Sequence, residues 1–133
     1  MTPVDPSPFK GKTGIRRLFN ALGYSLDGLK AALQHEAAFR QLTVLAAILI
    51  PVACLLSVSM LERVVLIAAV LATLVIELLN SAVEAAVDHT SLARHPLAKR
   101  AKDTGSAAQA LALTLLAVLW LVALWRDYVA TWF

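Results

Sequence analysis

Cysteine is all but missing: Cys54 stands alone among 133 residues. No intrachain disulfide and no cysteine metal cluster can form, and the apolar surroundings of Cys54 predict a small buried hydrophobe. Charge is also scarce, at 16% of residues against 59% hydrophobic. That balance excludes a disordered chain, fits one integral membrane domain, and leaves too little length for two. There is no Gly-x-x-x-x-Gly-Lys phosphate loop and no protein-kinase catalytic motif. The zinc-protease pattern fails because Phe39 stands where a second histidine would follow His35. Arg16-Arg17 is not followed by a clean apolar core, since Asp27, Lys30, His35, Glu36 and Arg40 interrupt it, so the protein is expected to keep its N-terminus. No internal repeat is present, and three spans exclude the usual paired-repeat transporter layout.

What the chain does have is helical periodicity and long apolar runs. Residues 1–12, with three prolines and no periodicity, read as a tail, and 13–133 as one membrane domain. From Ile15 the apolar residues Leu18, Phe19, Leu22, Leu26, Leu29 and Leu33 recur at helical spacing, predicting an amphipathic helix over 14–35. It is too charged to span and should lie in the membrane interface, Gly23 or Gly28 allowing a bend; packing on a protein partner is the other use of such a face. Glu36 and Arg40 are set to pair at i, i+4. Three spans follow, over 40–60, 64–88 and 105–126, each long enough to cross hydrocarbon about 30 Å thick. Pro51 predicts a kink in the first, and Glu62-Arg63 a tight hinge after it. Trp120, Trp125 and Trp132 fit an interfacial aromatic belt. The connection 88–105 reads as polar and basic. Basic residues crowd the N-terminal side and that connection, so the positive-inside rule puts both in the cytoplasm. The fold class expected is therefore an all-α membrane protein, with an N-terminal surface helix and three transmembrane helices.

The second span carries acids. Glu77, Asn80, Ser81, Glu84 and Asp88 fall at i, i+3, i+4, i+7 and i+11, which places all five on one helical face. A carboxylate facing hydrocarbon costs several kcal/mol, so such acids face other helices or a wet cavity and mark function by default. The plainer use of the same stripe is interhelical hydrogen bonding that holds subunits together. Glu36, Glu84 and Asp88, with Lys102-Asp103, could converge at the cytoplasmic mouths of the spans. Carboxylates there suit a hard cation such as Mg²⁺, which often arrives bound to nucleotide phosphates, and Arg17, Lys99, Arg100 and Lys102 could meet phosphate. Glu77, deeper, could accept a proton from a lipid alcohol. These parts amount to phosphoryl transfer, although a proton-coupled transporter would use similar acids.

Three segments carry a resemblance: Glu36-Ala-Ala-Phe-Arg40-Gln41, Glu77-Leu-Leu-Asn80-Ser81-Ala-Val-Glu84-Ala-Ala-Val-Asp88, and Arg100-Ala-Lys102-Asp103-Thr-Gly105-Ser106-Ala-Ala108. Together they resemble the signature segments of the bacterial diacylglycerol kinase family, without gaps between them. The resemblance implies a homotrimeric helical bundle of the inner membrane, with sites shared between subunits, that moves the γ-phosphate of MgATP onto diacylglycerol. A related subgroup phosphorylates undecaprenol. It further implies Glu77 as catalytic base with Asn80 positioning reacting groups, and Glu36 and Glu84 as ligands of the Mg²⁺ that accompanies ATP. Arg17, Tyr24, Lys102 and Asp103 match nucleotide contacts, and Arg94 and His95 lie in the nucleotide-facing loop. That loop departs from the family pattern, as do Asn20, Leu26 and Asp27 in the surface helix. Nucleic acid is not an expected partner.

Overall fold

The computed structural model describes residues 14–90 and 95–129. Every regular element among them is helical: α1 (Ile15–His35), α2 (Ala37–Leu55), α3 (Met60–Thr90) and α4 (Pro96–Leu124), followed by a wider π-type turn over Trp125–Val129. The chain divides into two compact units between His35 and Glu36.

The first unit is α1. Its sequence is strongly amphipathic, and Ile15, Leu18, Phe19, Leu22, Leu26, Leu29 and Leu33 are all exposed on it. An uncovered apolar stripe of that length suits a helix whose solvent on one side is lipid. The helix runs unbroken past Gly23 and Gly28.

The second unit holds the other three helices, each long and apolar enough to cross a membrane. Only 22–28% of the most apolar window of each is buried within the chain. The remainder presents large apolar side chains, among them Val44, Ile48, Leu71, Val75, Leu115 and Leu121. Such an outer surface belongs in hydrocarbon or against further copies of the same helices. In lipid, burial of carbon gains little, so association depends on close packing and hydrogen bonds. The core is built accordingly: small Ala46, Ala53, Ala69 and Ala123 let backbones approach, and Leu66, Val70, Leu116 and Trp120 fill the gaps. α3 is the central helix, packing most extensively on α4 and next on α2.

The ends of the helices show how the sequence sets them. Glu36 separates α1 from α2 with extended backbone (φ −104°, ψ 109°) and occupies the N-cap position of α2 without a side-chain capping bond. α2 continues through Pro51 to Leu55. The reversal before α3 lies at 56–59, not at the expected Glu62-Arg63, because Ser59 and Glu62 form a capping box. The Ser59 Oγ accepts from the Glu62 amide (3.3 Å), while the Glu62 carboxylate accepts from the Ser59 amide (3.0 Å) and hydroxyl (2.7 Å). This reciprocal pairing satisfies donors that a helix start leaves orphaned. Arg63 then closes the preceding helix, donating to the carbonyls of Ala53 and Leu56 (both 3.1 Å). The same end is tied to the chain's last described turn by a Glu62–Arg126 ion pair and by the Ser57 amide donating to the Tyr128 hydroxyl (2.9 Å).

At the opposite end α4 starts at Pro96, nine residues before the expected third span at 105. Proline is favoured in a first helical turn, where its missing N–H costs nothing. His95 caps that turn, its Nδ1 accepting from the Leu97 amide (3.2 Å). Two expectations about single residues fail. Cys54 is exposed on the outer side of α2 rather than buried, because the core takes Ala53 instead. Trp120 is 7% exposed and sits in the core rather than in an interfacial belt, while Trp125 is exposed as expected. Trp132 and residues 1–12 lie outside the described residues.

Candidate active site

The acid stripe runs along the last turns of α3. Glu77 is 5% exposed and shares the buried face of that helix with Leu66, Val70 and Thr73. Directly behind it, Thr73 is wholly buried and its hydroxyl donates to the Val70 carbonyl (2.7 Å), so it satisfies itself within the helix. One turn beyond Glu77, the amide Nδ2 of Asn80 donates to Oε1 of Glu84 (3.2 Å). The charges of Glu84 and of Glu36, at the start of α2, act on Glu77, so three carboxyl groups from two helices share one locality. Asn80 Oδ1 is buried without a hydrogen-bond partner.

The side of Asn80 rests on Gly105 of α4. A Cβ at position 105 would overlap Asn80 Oδ1 and approach its Cγ to 3.3 Å. Glycine therefore lets the carboxamide lie flat between the two helices, a close approach that only a residue without a side chain permits. Beside this contact a cavity of about 550 Å³ lies between α3 and α4, lined by Ile76, Leu79, Asn80 and Val83 on one wall and Arg100, Thr104, Gly105 and Ala108 among those on the other. It is an apolar slot with Arg100, Thr104 and Asn80 as its polar members.

The basic start of α4 is engaged with acids. Lys102 pairs with Asp88 (2.6 Å), which ties α4 to the end of α3, and Lys99 pairs with Asp103 one turn along the same helix (2.5 Å). Both pairs are exposed, where such contacts are worth about 0–1 kcal/mol. Lys102 and Asp103 thus reach the site's end already partnered, and a bound polyanion would compete for Lys102. His95 serves as the cap of α4. Arg17 and Tyr24 belong to the α1 unit, both exposed. Arg94 lies outside the described residues.

The donor set can be tested against a metal. Among the described residues no group of three or more histidines, cysteines or acids forms a cage for an ion. Mg²⁺, however, is commonly held by one or two carboxylates, with substrate phosphates and water completing its oxygen shell. Glu84 spends one oxygen on Asn80, and with Glu36 it supplies two carboxylates near Glu77. The residues fit an ion that arrives on a nucleotide and do not fit a resident closed site.

Sequence reasoning passed over two of these features. One is Gly105, since a glycine inside a helical run is itself a signal of close approach. Gln109, a polar residue near the start of the third apolar run, is 9% exposed and has neither Nε2 nor Oε1 hydrogen-bonded.

An acid stripe that runs from the buried Glu77 through the half-buried Glu84 to the exposed Asp88, in a three-span helical unit with cations at its open end, fits a membrane protein that handles charge at one face of the bilayer. Comparison with known proteins gives the family. The model of prokaryotic diacylglycerol kinases matches residues 23–124, and the chain belongs to that family. It is 61% identical to a diacylglycerol kinase of Pseudomonas aeruginosa over 117 residues, 88% of this chain and 95% of that protein. It is 43% identical to the diacylglycerol kinase of Escherichia coli K12 over 116 residues, covering 87% of this chain and 95% of the other. A Helicobacter pylori diacylglycerol kinase is 49% identical over 113 residues, 85% and 88% of the two chains. A transporter reading of the acids is set aside by this membership.

Proposed function

We propose that the protein is an ATP-dependent lipid kinase that transfers the γ-phosphate of MgATP to the free hydroxyl of diacylglycerol, giving phosphatidic acid. The observation that carries this reading is the buried Glu77, with the Asn80–Glu84 pair one turn beyond it on the same helical face. Glu77 is the proton acceptor. As the acceptor oxygen bonds to the γ-phosphorus, its hydroxyl proton passes to the Glu77 carboxylate, and the bond from the γ-phosphorus to the bridging oxygen breaks to release ADP. Asn80 orients the reacting groups, its amide held by Glu84 in the space that Gly105, without a Cβ, leaves open. Glu36 and Glu84 would hold the Mg²⁺ of the nucleotide, which would supply positive charge to the transferring phosphate. Arg17, Tyr24, Arg94, His95, Lys102 and Asp103 are assigned to the nucleotide, Lys102 by exchanging Asp88 for a phosphate oxygen.

The acceptor cannot leave the bilayer, and a chain with an amphipathic α1 and with spans whose outer faces are apolar suits a substrate that enters sideways. The site faces the cytoplasm and the protein resides in the bacterial inner membrane, as the basic N-terminal side and the basic start of α4 favour. It acts as a homotrimer with sites shared between subunits. One protomer buries only about a quarter of its spans, and uncovered acids would bear the cost of facing lipid. A sister activity on undecaprenol uses the same hydroxyl chemistry. The test is purified protein in mixed micelles with radiolabelled ATP and either acceptor. Faster phosphorylation of diacylglycerol is expected, and a marked preference for the polyprenol would move the assignment to the sister activity.

A further inference from the structure

Gln109 is a buried polar residue that this mechanism does not use. Its amide is enclosed by the chain, and neither its donor nor its acceptor is satisfied. An unpaired buried amide costs on the order of 1–3 kcal/mol in a protein interior, and membrane depth offers no bulk water to relieve it. Its position is set by two observations. On α4 the buried residues Gln109, Ala112, Leu116, Trp120 and Ala123 recur at three and four, so Gln109 lies on the face that packs inward. On α3 the corresponding face carries Leu66, Ala69, Val70, Thr73 and Glu77.

The register between the two faces follows from Gly105, which lies against Asn80. At about 1.5 Å per residue, four residues from Gly105 to Gln109 advance about 6 Å along α4. Three residues back from Asn80 to Glu77 advance about 4.5 Å the same way, since the helices run in opposite directions. Ile76 and Ala108 both line the slot beside this contact, in keeping with that register. Gln109 and Glu77 therefore face the same interior at the same depth. Packed helix axes lie about 8–10 Å apart, a gap that a glutamine and a glutamate extended toward each other close. Thr73, at the neighbouring level, already spends its proton on the Val70 carbonyl. The carboxylate of Glu77 is the stronger acceptor, because a hydrogen bond to an ionised group is about twice as strong as a neutral one.

We propose that Gln109 is a positioning residue for the reaction, its Nε2 donating to the Glu77 carboxylate and holding it turned toward the acceptor hydroxyl. Rotation about the glutamine's own side-chain bonds makes this contact. The role rests on Glu77 being the proton acceptor. Held in this way, the carboxylate keeps one oxygen for Gln109 and presents the other to the substrate. Without the amide it swings among several rotamers, and turnover falls while substrate binding is little altered.

The chain has three glutamines, Gln34, Gln41 and Gln109, so selective ¹⁵N-glutamine labelling of the full-length protein in micelles gives a readable spectrum. The Gln109 side-chain resonance is assigned by its loss in Gln109→Met. It is expected downfield of the other two and should move back toward them in Glu77→Ala; a resonance indifferent to Glu77 overturns the proposal. In kinetics with a short-chain diacylglycerol, Gln109→Met should lower kcat about tenfold, which corresponds to about 1.4 kcal/mol, with little change in either KM. In a Glu77→Gln background the same substitution should cost nothing further. An equal fold-loss in both backgrounds would mean a purely structural role and would sink the idea. Should Gln109→Met not fold, Gln109→Asn keeps the amide one methylene short, and a parental kcat from it overturns the proposal equally. If the resonance responds to Glu77 while Glu77→Gln keeps parental turnover, the hydrogen bond stands and the base assignment falls.

Discussion

Replacing Gly105 by alanine separates helix stability from site geometry. In an ordinary helix interior the exchange stabilises by about 0.5–1 kcal/mol, because glycine loses more backbone entropy on folding. Here the new Cβ overlaps Asn80 Oδ1 and stands 3.9 Å from the Asn80 Cα. The helices themselves need not part, but the carboxamide must turn away. Turning it breaks the 3.2 Å bond from Asn80 Nδ2 to Glu84, and a hydrogen bond to a charged group is worth about 1.5–3 kcal/mol. Setting the loss against the helical gain leaves a net destabilisation of about 1–2 kcal/mol. The functional loss is larger in proportion, since Asn80 then no longer faces the reacting groups. Turnover should drop about tenfold or more, a barrier increase of about 1.4 kcal/mol or above. Lipid-dependent ADP release in micelles reads turnover, and near-UV circular dichroism against temperature reads packing around Trp120. Parental turnover in a folded Gly105→Ala protein would refute the claim that the glycine exists to seat Asn80.

Other substitutions address separate parts of the structure. Glu36→Gln and Glu84→Gln should each weaken use of MgATP, with the defect partly offset by raised free Mg²⁺, because an amide is a poorer ligand for a hard cation; titration curves superposable on the parent's would assign the two acids another task. Ser59→Ala removes the capping box at the far end of α3 and should cost about 0.5–2 kcal/mol of stability. It should leave kcat unchanged, and a loss of turnover at parental stability would couple that end to the site. Co-refolding Glu77→Gln with Arg17→Ala, Glu36→Gln or Lys102→Leu should restore activity for at least one pair. Failure of every pair after proven subunit exchange would place each site within one chain.

The sequence made the helices and the acid stripe legible for one physical reason: carboxylates are costly in an apolar run, so Glu77 and Glu84 at helical spacing could not be incidental. Their shared face survives in the structure as a buried Glu77 and an Asn80–Glu84 pair. What sequence reasoning missed are matters of packing and capping. Lys99, Arg100 and Lys102 read as part of a polar, basic connection, whereas Pro96 and the His95 cap start α4 before them. The reversal before α3 lies four residues earlier than expected because the Ser59–Glu62 box starts the helix at Met60. Trp120 and Cys54 exchanged expected places, since residue type does not say which face of an apolar helix meets its neighbours. Gln109 was overlooked because one polar residue hardly lowers the mean hydropathy of a long run, and only its burial without a partner draws notice.

The measurement that bears most directly on the account is the turnover of Glu77→Gln at saturating MgATP and diacylglycerol. The amide keeps the volume and hydrogen-bonding capacity of the acid but cannot take the acceptor's proton. A folded, assembled variant should therefore lose at least about 10²- to 10⁴-fold in kcat, the range ascribed to general base catalysis. Near-parental turnover of phosphatidic acid by that variant would contradict the account at its centre.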